Sequence, residues 1–324
     1  MAFLYSQFFK RPPYPTRPCA GKTVIVTGSN IGLGKEAARH FVRLGASTVI
    51  LAVRSLDRGH TAKHDIEATT NCAENVIQVW RIDMASYASV QKFAARVDSE
   101  LDRVDIFIAN AGVATSKFST AEDNETSITI NVVSTFLLAA LVMPKLKATA
   151  ARFETRPTFT ITTSEVHGHT NFPQQRAPDG EIFATVNEKE AAEKNFMDQY
   201  PISKLLEVFG VRAIAQAHLA LAFPVTINCV NPGLCHSELS RESPSFGFWL
   251  IKLLLARSTE VGSRTLVHAA FQGAESHGQY LSDCEITEPA PLVTSQGGRK
   301  AQDRVWIELL EKLEAIKPGV TSSL

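Results

Sequence analysis

Tyr200 and Lys204 stand four positions apart in the stretch YPISK, immediately before the apolar run LLEVFGV. In a helix this spacing places both side chains on one face, one turn apart. A tyrosine hydroxyl has an ordinary pKa of about 10, and a neighbouring ammonium stabilises its ionised form. The pair is therefore a candidate for proton transfer. The alternative is a tyrosine and a lysine on a solvated helix face.

The elements around this pair alternate between short apolar runs and longer amphipathic stretches. Runs rich in β-branched residues predict strands at 22–28, 47–53, 75–83, 104–112, 158–164 and 225–233. Helical spacing predicts helices at 33–44, about 56–69, about 86–101, 125–148 and about 199–221. Continuous apolar strands separated by helices are typical of a parallel sheet covered on both faces. The sequence thus predicts an α/β fold with one doubly wound, Rossmann-type sheet of about seven strands.

The first predicted strand ends in the turn TGSNIGLG, which leads directly into a helix. Glycines in such a turn allow positive φ angles and let a pyrophosphate approach the backbone, while the helix N-terminus offers free N–H groups. The turn contributes these residues to a predicted dinucleotide site: Gly28, Ser29, Asn30, Ile31, Gly32 and Gly34. The alternative is a purely structural turn.

The second and third strands bear on the choice of cofactor. An acid at the end of the second strand would accept from the ribose 2′-hydroxyl of NAD, but Arg54 stands there instead. A guanidinium pairs well with a 2′-phosphate, so the sequence favours NADP(H), with acceptance of both cofactors as the alternative. Asp83 and Met84 close the third strand and are assigned to the adenine. Asp83 could equally cap the next helix, as could Ser86.

Five segments occur in a fixed order, each at a strand end or a helix start: TGSNIGLG, ANAG at 109–112, Ser164, YPISK, and NPG at 231–233. This set resembles the short-chain dehydrogenase/reductase family over roughly residues 20 to 285. Within the family, Arg54 and the long spacing between Ser164 and Tyr200 resemble the retinol-dehydrogenase-like branch. The stretch NPGLCHSEL resembles fungal members associated with secondary metabolism.

The resemblance implies a role for each matching residue. Tyr200 matches the general acid/base and Lys204 its lysine, both also touching the cofactor. Ser164 matches the serine that holds the substrate oxygen, and Asn131 matches the asparagine of the proton relay. Further positions matching cofactor-binding elements are Asn110, Ala111 and Gly112 beside the adenosine, and Pro232 and Gly233 over the nicotinamide.

Ser164 and Tyr200 are 36 positions apart, a longer separation than in many members of this family. The segment 165–197 between them is polar and mixed, and we expect it to loop out as an insertion. Thr162 and Thr163 are alternative hydroxyl donors if the register is shifted. Residues 20–324 are then predicted to form a single dinucleotide-binding and catalytic domain, preceded by an N-terminal arm at 1–19.

The stretch 234–256 follows the NPG turn and is predicted to be a lid over the substrate. The residues assigned to the substrate are Val166, Cys235, His236, Phe246 and Trp249. Aromatic residues in a lid suit a flat, apolar substrate. We therefore expect a hydrophobic aldehyde, ketone or alcohol, such as an aromatic polyketide-type metabolite of fungal secondary metabolism.

The composition limits the kinds of molecule that this protein is expected to bind. Lys+Arg and Asp+Glu both number 33, so no basic field attracts nucleic acid. Five widely spaced cysteines without a CxxC motif favour reduced thiols in the cytoplasm, and His167 and His169 lack further ligands for a metal. We expect a monomer or a homodimer. Two alternatives stay open: a peripheral-membrane reductase of retinol or lipids anchored by residues 1–10, and a non-catalytic NADP-binding sensor or scaffold.

Overall fold

One central sheet of eight strands organises the chain, for which the computed structural model describes residues 2–194, 196–236 and 255–324. Its strands are β1 (Thr23–Thr27), β2 (Thr48–Val53), β3 (Ile77–Arg81), β4 (Ile106–Ala109), β7 (Thr158–Thr162), β8 (Thr226–Asn231), β9 (Tyr280–Ser282) and β10 (Glu285–Thr287). A separate hairpin pairs β5 (Thr120–Ala121) with β6 (Asn124–Glu125). The sheet order is β3-β2-β1-β4-β7-β8-β9-β10, and every pair is parallel except β9 and β10.

Helices cover both faces of this sheet. They are α1 (Ala2–Phe9), α2 (Gly32–Arg43), α3 (Leu56–Thr70), α4 (Tyr87–Glu100), α5 (Ser134–Phe153), α6 (Ile182–Asn187), α7 (Lys189–Lys194), α8 (Phe196–Ala217), α9 (Thr259–Ala270), α10 (Pro291–Thr294) and α11 (Gln296–Ile316). The prediction of a doubly wound α/β fold is confirmed. The chain order reverses between β1 and β4, which is where such sheets bind ligands.

Alternating side chains of each strand enter two separate hydrophobic layers. Ile25 and Ile50 point into the layer that contains α4, α5, α8 and α11. Val24, Val26 and Val49 point into the layer that contains α2, α3 and α9. Because both faces are buried, β1, β4 and β8 are apolar or fully buried at every position, which explains why their sequences read as unbroken apolar runs.

A π-helical turn, Ile128–Val133, precedes α5 and continues directly into it. Among the described residues, the segment Ile128–Phe153 is long and apolar enough to cross a membrane by length and composition alone. However, 83% of its most apolar window is buried inside the fold, as in a core helix. The wider π turn places Asn131 toward the interior, where its side chain is fully buried.

The insertion 165–197 is more structured than the loop expected from its polar composition. It contains α6 and α7, and Phe172 and Ile182 are completely buried in the core. Glu308 on α11 is also buried and accepts hydrogen bonds from the backbone N–H groups of Ile182 and Phe183. A distant carboxylate therefore caps α6 and ties the insertion to the C-terminal helix.

The N-terminal arm also packs on the body of the protein. The Ser6 hydroxyl on α1 donates a hydrogen bond of 2.6 Å to Asp283, and Lys10 pairs with Glu285 at 2.9 Å. Arg257 donates to the Ser6 carbonyl and to Asp283. The arm thus lies against the segments that follow β8 and β9.

Close contact between α5 and α8 depends on Gly210. A Cβ atom at this position would collide with the ring of Phe136, which is fully buried. We expect Gly210→Ala to destabilise the protein by about 1–3 kcal/mol, because overpacking outweighs the better helix propensity of alanine. Chemical denaturation of the purified variant measures this change.

Gly297 provides the matched control, since it lies in the first turn of α11 and a Cβ added there would meet its nearest atoms at 3.9 and 4.0 Å, which is ordinary van der Waals contact. Gly297→Ala should be neutral or stabilising by up to about 1 kcal/mol. Equal stability changes in the two variants would contradict this packing of α5 on α8.

Candidate active site

Tyr200 and Lys204 lie in the N-terminal half of α8, beside the carboxyl end of β7. Lys204 Nζ lies 5.5 Å from the centre of the Tyr200 ring and donates a 3.0 Å hydrogen bond to the carbonyl of Thr162. Lys204 is 4% exposed and Tyr200 is half-buried. The two side chains therefore share one helix face, and that face is turned toward the sheet rather than toward solvent.

Ser164 is placed next to this pair by the end of β7. Its hydroxyl accepts from the backbone N–H of Val166 at 3.3 Å, and it lies close enough to the Tyr200 hydroxyl to favour its ionised form. Of the alternative donors, the Thr163 hydroxyl donates to the Lys204 carbonyl, and the Thr162 hydroxyl is buried without a hydrogen-bond partner among the described residues. The structure thus favours Ser164 in the register that the sequence predicts.

Glu207, a third side chain of α8, places a negative charge beside the positive charge of Lys204. Its carboxylate pairs with Lys204 Nζ at 2.8 Å and is 2% exposed. Burial acts to lower the pKa of the Lys204 ammonium, but Glu207 and Tyr200 raise it above its ordinary value overall. The lysine therefore remains charged although it is buried.

Burial raises the pKa of the Tyr200 hydroxyl above its ordinary value. Lys204 acts in the opposite direction, Glu207 adds to the rise, and the hydrogen bond with Ser164 lowers it. This corrects the expectation that the ammonium alone makes Tyr200 easily ionised. In the protein without ligand, the loss of water around the phenol outweighs the lysine.

Each polar atom of the Asn131 side chain has a hydrogen-bond partner within the protein. Its Oδ1 accepts from the backbone N–H of Val113, and its Nδ2 donates to the Val113 carbonyl and to the Ser203 hydroxyl, all at 2.9 Å. Asn131 therefore fastens the segment after β4 to α8. Both polar atoms of its side chain therefore have protein partners, and neither is left unpaired for the predicted proton relay.

The glycine-rich turn after β1 forms an open cradle. Gly28 and Gly32 have φ angles of +66° and +63°, which side chains rarely adopt, and no atom lies within 4 Å of a Cβ placed at Gly32. Ile31, the N-cap of α2, makes no side-chain capping bond, whereas α3 and α4 are capped by serines. The first N–H groups of α2 are thus open to an anion.

Thr27 and Asn110 join this turn to the neighbouring strand β4. The buried Thr27 hydroxyl accepts from the backbone N–H groups of Asn110 and Ala111 at 3.0 and 2.9 Å. Asn110 Nδ2 donates to the Thr27 carbonyl at 2.9 Å, and a Cβ at Gly34 would lie only 2.5 Å from that nitrogen. The predicted residues of both turns are therefore held together at one edge. Ser29 is an exception, because its buried hydroxyl already donates a hydrogen bond to the Val26 carbonyl.

Arg54 follows β2 at this same edge, because β1 and β2 are adjacent and Gly28 donates to the Ala52 carbonyl. Arg54 is exposed, and its guanidinium makes no hydrogen bond or ion pair with any residue that the structure describes. Asp83 accepts from the N–H of Ala85, and Met84 is buried at 6% exposure. Met84 therefore belongs to the core more than to an open adenine surface.

The NPG turn ends β8. Gly233 has a φ of +75° and donates its N–H to Asn231 Oδ1, and a Cβ there would lie within 3.0 Å of Arg257 and Gln7. The turn is therefore closely packed between Arg257 and the N-terminal arm.

The residues assigned to the substrate lie in three kinds of surroundings. Val166 is half-buried beside Ser164, and His236 is exposed. Cys235, in contrast, is 5% exposed and its sulfur packs directly against Gly262 of α9, which does not favour the predicted contact with the substrate. Phe246 and Trp249 lie outside the described residues, as does most of the predicted lid 234–256.

His167 is buried, and its ring connects two segments of the chain. Its Nδ1 lies 2.7 Å from the Ser164 carbonyl, and its Nε2 accepts from the backbone N–H of Ala290 at 2.9 Å. Burial lowers its pKa, so the ring is neutral with the proton on Nδ1. His167 thus fixes the turn that carries Ser164.

Two residues of the site were not identified from sequence. Glu207 is a charged residue inside an apolar run, seven positions after Tyr200, and this misplaced charge was the available signal. Thr27 precedes the first glycine, and its type alone gave no such signal.

Comparison with known proteins identifies the family. A family model described as short chain dehydrogenase matches residues 22–177. The short chain dehydrogenase/reductase dmxR8 of Cryptosporiopsis sp. is 73% identical over 323 residues, covering 100% of each chain. The short-chain dehydrogenase anuD of Penicillium roqueforti is 41% identical over 330 residues, covering 99% of this chain and 84% of its own. Both relatives are fungal, in agreement with the predicted branch.

Among solved structures, a short chain dehydrogenase from Shigella flexneri complexed with NADP matches with a TM-score of 0.58 at 19% identity. The match covers 84% of this chain and 100% of that chain, and at this identity it shows the shared fold. The full-length fungal relatives carry the assignment further. The protein is an oxidoreductase acting on CH–OH and C=O groups, and it belongs to the short-chain dehydrogenase/reductase family.

Proposed function

We propose that this protein transfers a hydride between NADP(H) and the carbonyl or alcohol of a hydrophobic, aromatic polyketide-type metabolite in fungal secondary metabolism. One observation carries the proposal: Ser164, Tyr200 and Lys204 meet at the carboxyl end of β7. The glycine-rich turn follows β1 at the carboxyl edge of the same sheet. A hydride donor and an acid–base pair can therefore serve one substrate at this edge.

The described residues fit a dinucleotide. The space over Gly32 and the uncapped start of α2 suit a pyrophosphate, and Arg54, which pairs with no described residue, suits a 2′-phosphate. The Shigella flexneri structure was solved with NADP, which supports a nicotinamide dinucleotide here. When bound, this cofactor supplies or accepts the hydride.

In the reductive direction, Ser164 and Tyr200 donate hydrogen bonds to the carbonyl oxygen of the substrate, where negative charge develops. With a hydride supplied to the carbonyl carbon by the bound cofactor, the Tyr200 hydroxyl would give its proton to the oxygen. Lys204 stabilises the resulting phenolate until solvent returns a proton to it. Oxidation of an alcohol follows the same path in reverse.

The remaining residues position these groups. Asn131 holds the segment after β4 against α8. Asn110, Ala111 and Gly112 would face the adenosine half, and Asp83 has a second carboxylate oxygen for the adenine amino group. Pro232 and Gly233 would close over the nicotinamide. These roles rest on the family resemblance together with the geometry of the turns.

The substrate class rests on the residue types around the NPG turn. Phe246 and Trp249 in the predicted lid, with Val166 beside Ser164, suit a flat apolar molecule. Following NADPH absorbance with a panel of aryl ketones, aliphatic aldehydes and sugars tests this assignment. Turnover of sugars without turnover of any apolar carbonyl would exclude it.

Two alternative functions would require different features of the protein. A sensor or scaffold on the same fold has no need for a buried, charged Lys204 beside Tyr200, so the site favours an enzyme. A peripheral-membrane reductase is supported by exposed Phe8 and Phe9 on α1, at 54% and 73% exposure. We favour a cytoplasmic enzyme, and cell fractionation of the full chain and of a chain lacking residues 2–10 distinguishes the two.

The oligomeric proposal is a monomer or homodimer. Helix α11 and the C-terminus cover part of α5 and α8: Trp306 packs edge-on to Phe136, and Gln302 bonds Arg212 and Gln216. These contacts support the monomer by occupying helix faces that a partner would otherwise use. Sedimentation velocity measures the assembly.

Replacing Tyr200 tests the proposed chemistry. We expect Tyr200→Phe to lower kcat by about 10²–10⁴-fold, because the acid–base group is lost while the ring remains. The dissociation constant for NADPH, measured by fluorescence titration, should stay within about twofold, since the hydroxyl contributes little to dinucleotide binding. Turnover close to that of the wild type would contradict the proposal.

Arg54 tests the cofactor preference. Arg54→Gln should raise KM for NADPH by about 10–100-fold, because a charge-assisted bond to a phosphate is lost, and should leave KM for NADH nearly unchanged. Arg58, exposed on the first turn of α3, provides the control: Arg58→Gln removes the same charge and should affect neither constant. An unchanged KM for NADPH, or an equal loss with NADPH and NADH, would contradict a contact between Arg54 and the 2′-phosphate.

A further inference from the structure

A buried carboxylate, Glu207, is attached to the reacting pair but has no part in the proton transfer described above. It lies 2.8 Å from Lys204 Nζ, and the two side chains are only 2% and 5% exposed. Tyr200, Lys204 and Glu207 occupy positions i, i+4 and i+7 of α8, which form a single stripe along the helix. The three ionisable groups thus line one buried helix face.

A carboxylate removed from water is costly unless it gains a strong partner. An apolar residue would fill the same position in the run LLEVFGV at no such cost. A buried ion pair beside a reactive group is therefore a candidate for a functional role as well as a structural one.

We propose that Glu207 is a positioning residue of the Tyr200–Lys204 pair: its carboxylate holds Lys204 Nζ in place and moderates the positive field that Lys204 exerts on Tyr200. This inference rests on the proposed function of Tyr200 and Lys204.

The positioning argument follows from the donors of an ammonium. Lys204 Nζ has three N–H bonds, of which one is directed to Glu207 and one to the Thr162 carbonyl. Two fixed acceptors determine the direction of the third. A Cβ built at Gly112 would lie 3.7 Å from this nitrogen, so the backbone of the adjacent turn approaches closely on another side. The remaining N–H is left for a hydroxyl of the cofactor ribose or for a water.

The field argument concerns the charge close to the phenol. A negative Glu207 opposes ionisation of Tyr200, and Lys204 favours it. Burial raises the pKa of Glu207 to about 7, so its opposition is present above that pH. Among the described residues, the other titratable groups that face this cluster are Cys229 on β8 and Arg212 on α8. Burial raises the pKa of the Cys229 thiol, which therefore stays uncharged.

The pH dependence of alcohol oxidation tests the inference. The assay uses the alcohol of whichever apolar carbonyl is reduced fastest in the panel above, with saturating NADP+, and follows kcat/KM against pH. Glu207→Gln retains the shape and an acceptor for Lys204 but removes the charge. We expect the rising limb, which reports ionisation of Tyr200, to move to lower pH by about one unit.

Two further variants separate charge from structure. Glu207→Asp keeps the charge on a shorter side chain, so the limb should stay near that of the wild type while KM for NADP+ rises severalfold as Nζ loses its anchor. Glu308→Gln makes the same substitution at another buried glutamate, in the cap of α6 and away from Tyr200. It should lower thermal stability and leave the pH limb in place.

Failure of the role proposed for Glu207 can be distinguished from failure of the function proposed for Tyr200. If Tyr200→Phe is inactive but Glu207→Gln shows the limb of the wild type, or if Glu207→Asp shifts it as much as Glu207→Gln does, the role of Glu207 is overturned. If Tyr200→Phe retains full turnover, the proposed function itself fails.

Discussion

The positive charge of Lys204 is held out of water, and the arrangement of the site depends on how it is held. A buried ammonium is tolerated only when strong acceptors replace its hydration. In this protein the acceptors are the Glu207 carboxylate and the Thr162 carbonyl, one from the same helix and one from the end of β7. This arrangement fixes α8 against the sheet and places Tyr200 beside Ser164. The chemistry and the packing of α8 thus share one set of contacts.

The other parts of the site converge because the strands are parallel. The ends of β1, β2, β4, β7 and β8 lie along one edge of the sheet, and each is followed by a turn that carries predicted residues. Specific side chains then join neighbouring turns. Thr27 links the first and fourth strands, Asn131 links the segment after β4 to α8, and His167 links the Ser164 turn to Ala290. Most of these joining residues carry out no chemistry, but they set the distances between those that do.

Most of the fold could be predicted because its signals are local. Unbroken apolar strands, a glycine turn that feeds a helix, and an i, i+4 pair are all readable from a short window. The insertion 165–197 could not be predicted in the same way, since α6 is capped by Glu308 more than a hundred positions away. The short strands β9 and β10 carry too few residues for a pattern, and β10 pairs only with β9.

The electrostatics of the site were the least predictable part. The spacing of Tyr200 and Lys204 indicates that the lysine stabilises a phenolate, and it does act in that direction. Sequence alone does not give the burial of the phenol or the opposing carboxylate of Glu207, and these two effects prevail. The result is a tyrosine that keeps its proton near neutral pH and is suited to donating it.

The most direct test is the pH dependence of carbonyl reduction by the wild-type enzyme with NADPH. Because burial raises the pKa of Tyr200, we predict that kcat/KM stays level from about pH 6 to about pH 9 and declines only at higher pH, as the phenol loses its proton. A decline through neutral pH would show a Tyr200 that ionises readily, and an absence of any alkaline limb would show that its proton is not used. Either result would contradict the central role of a half-buried, protonated Tyr200 beside Lys204.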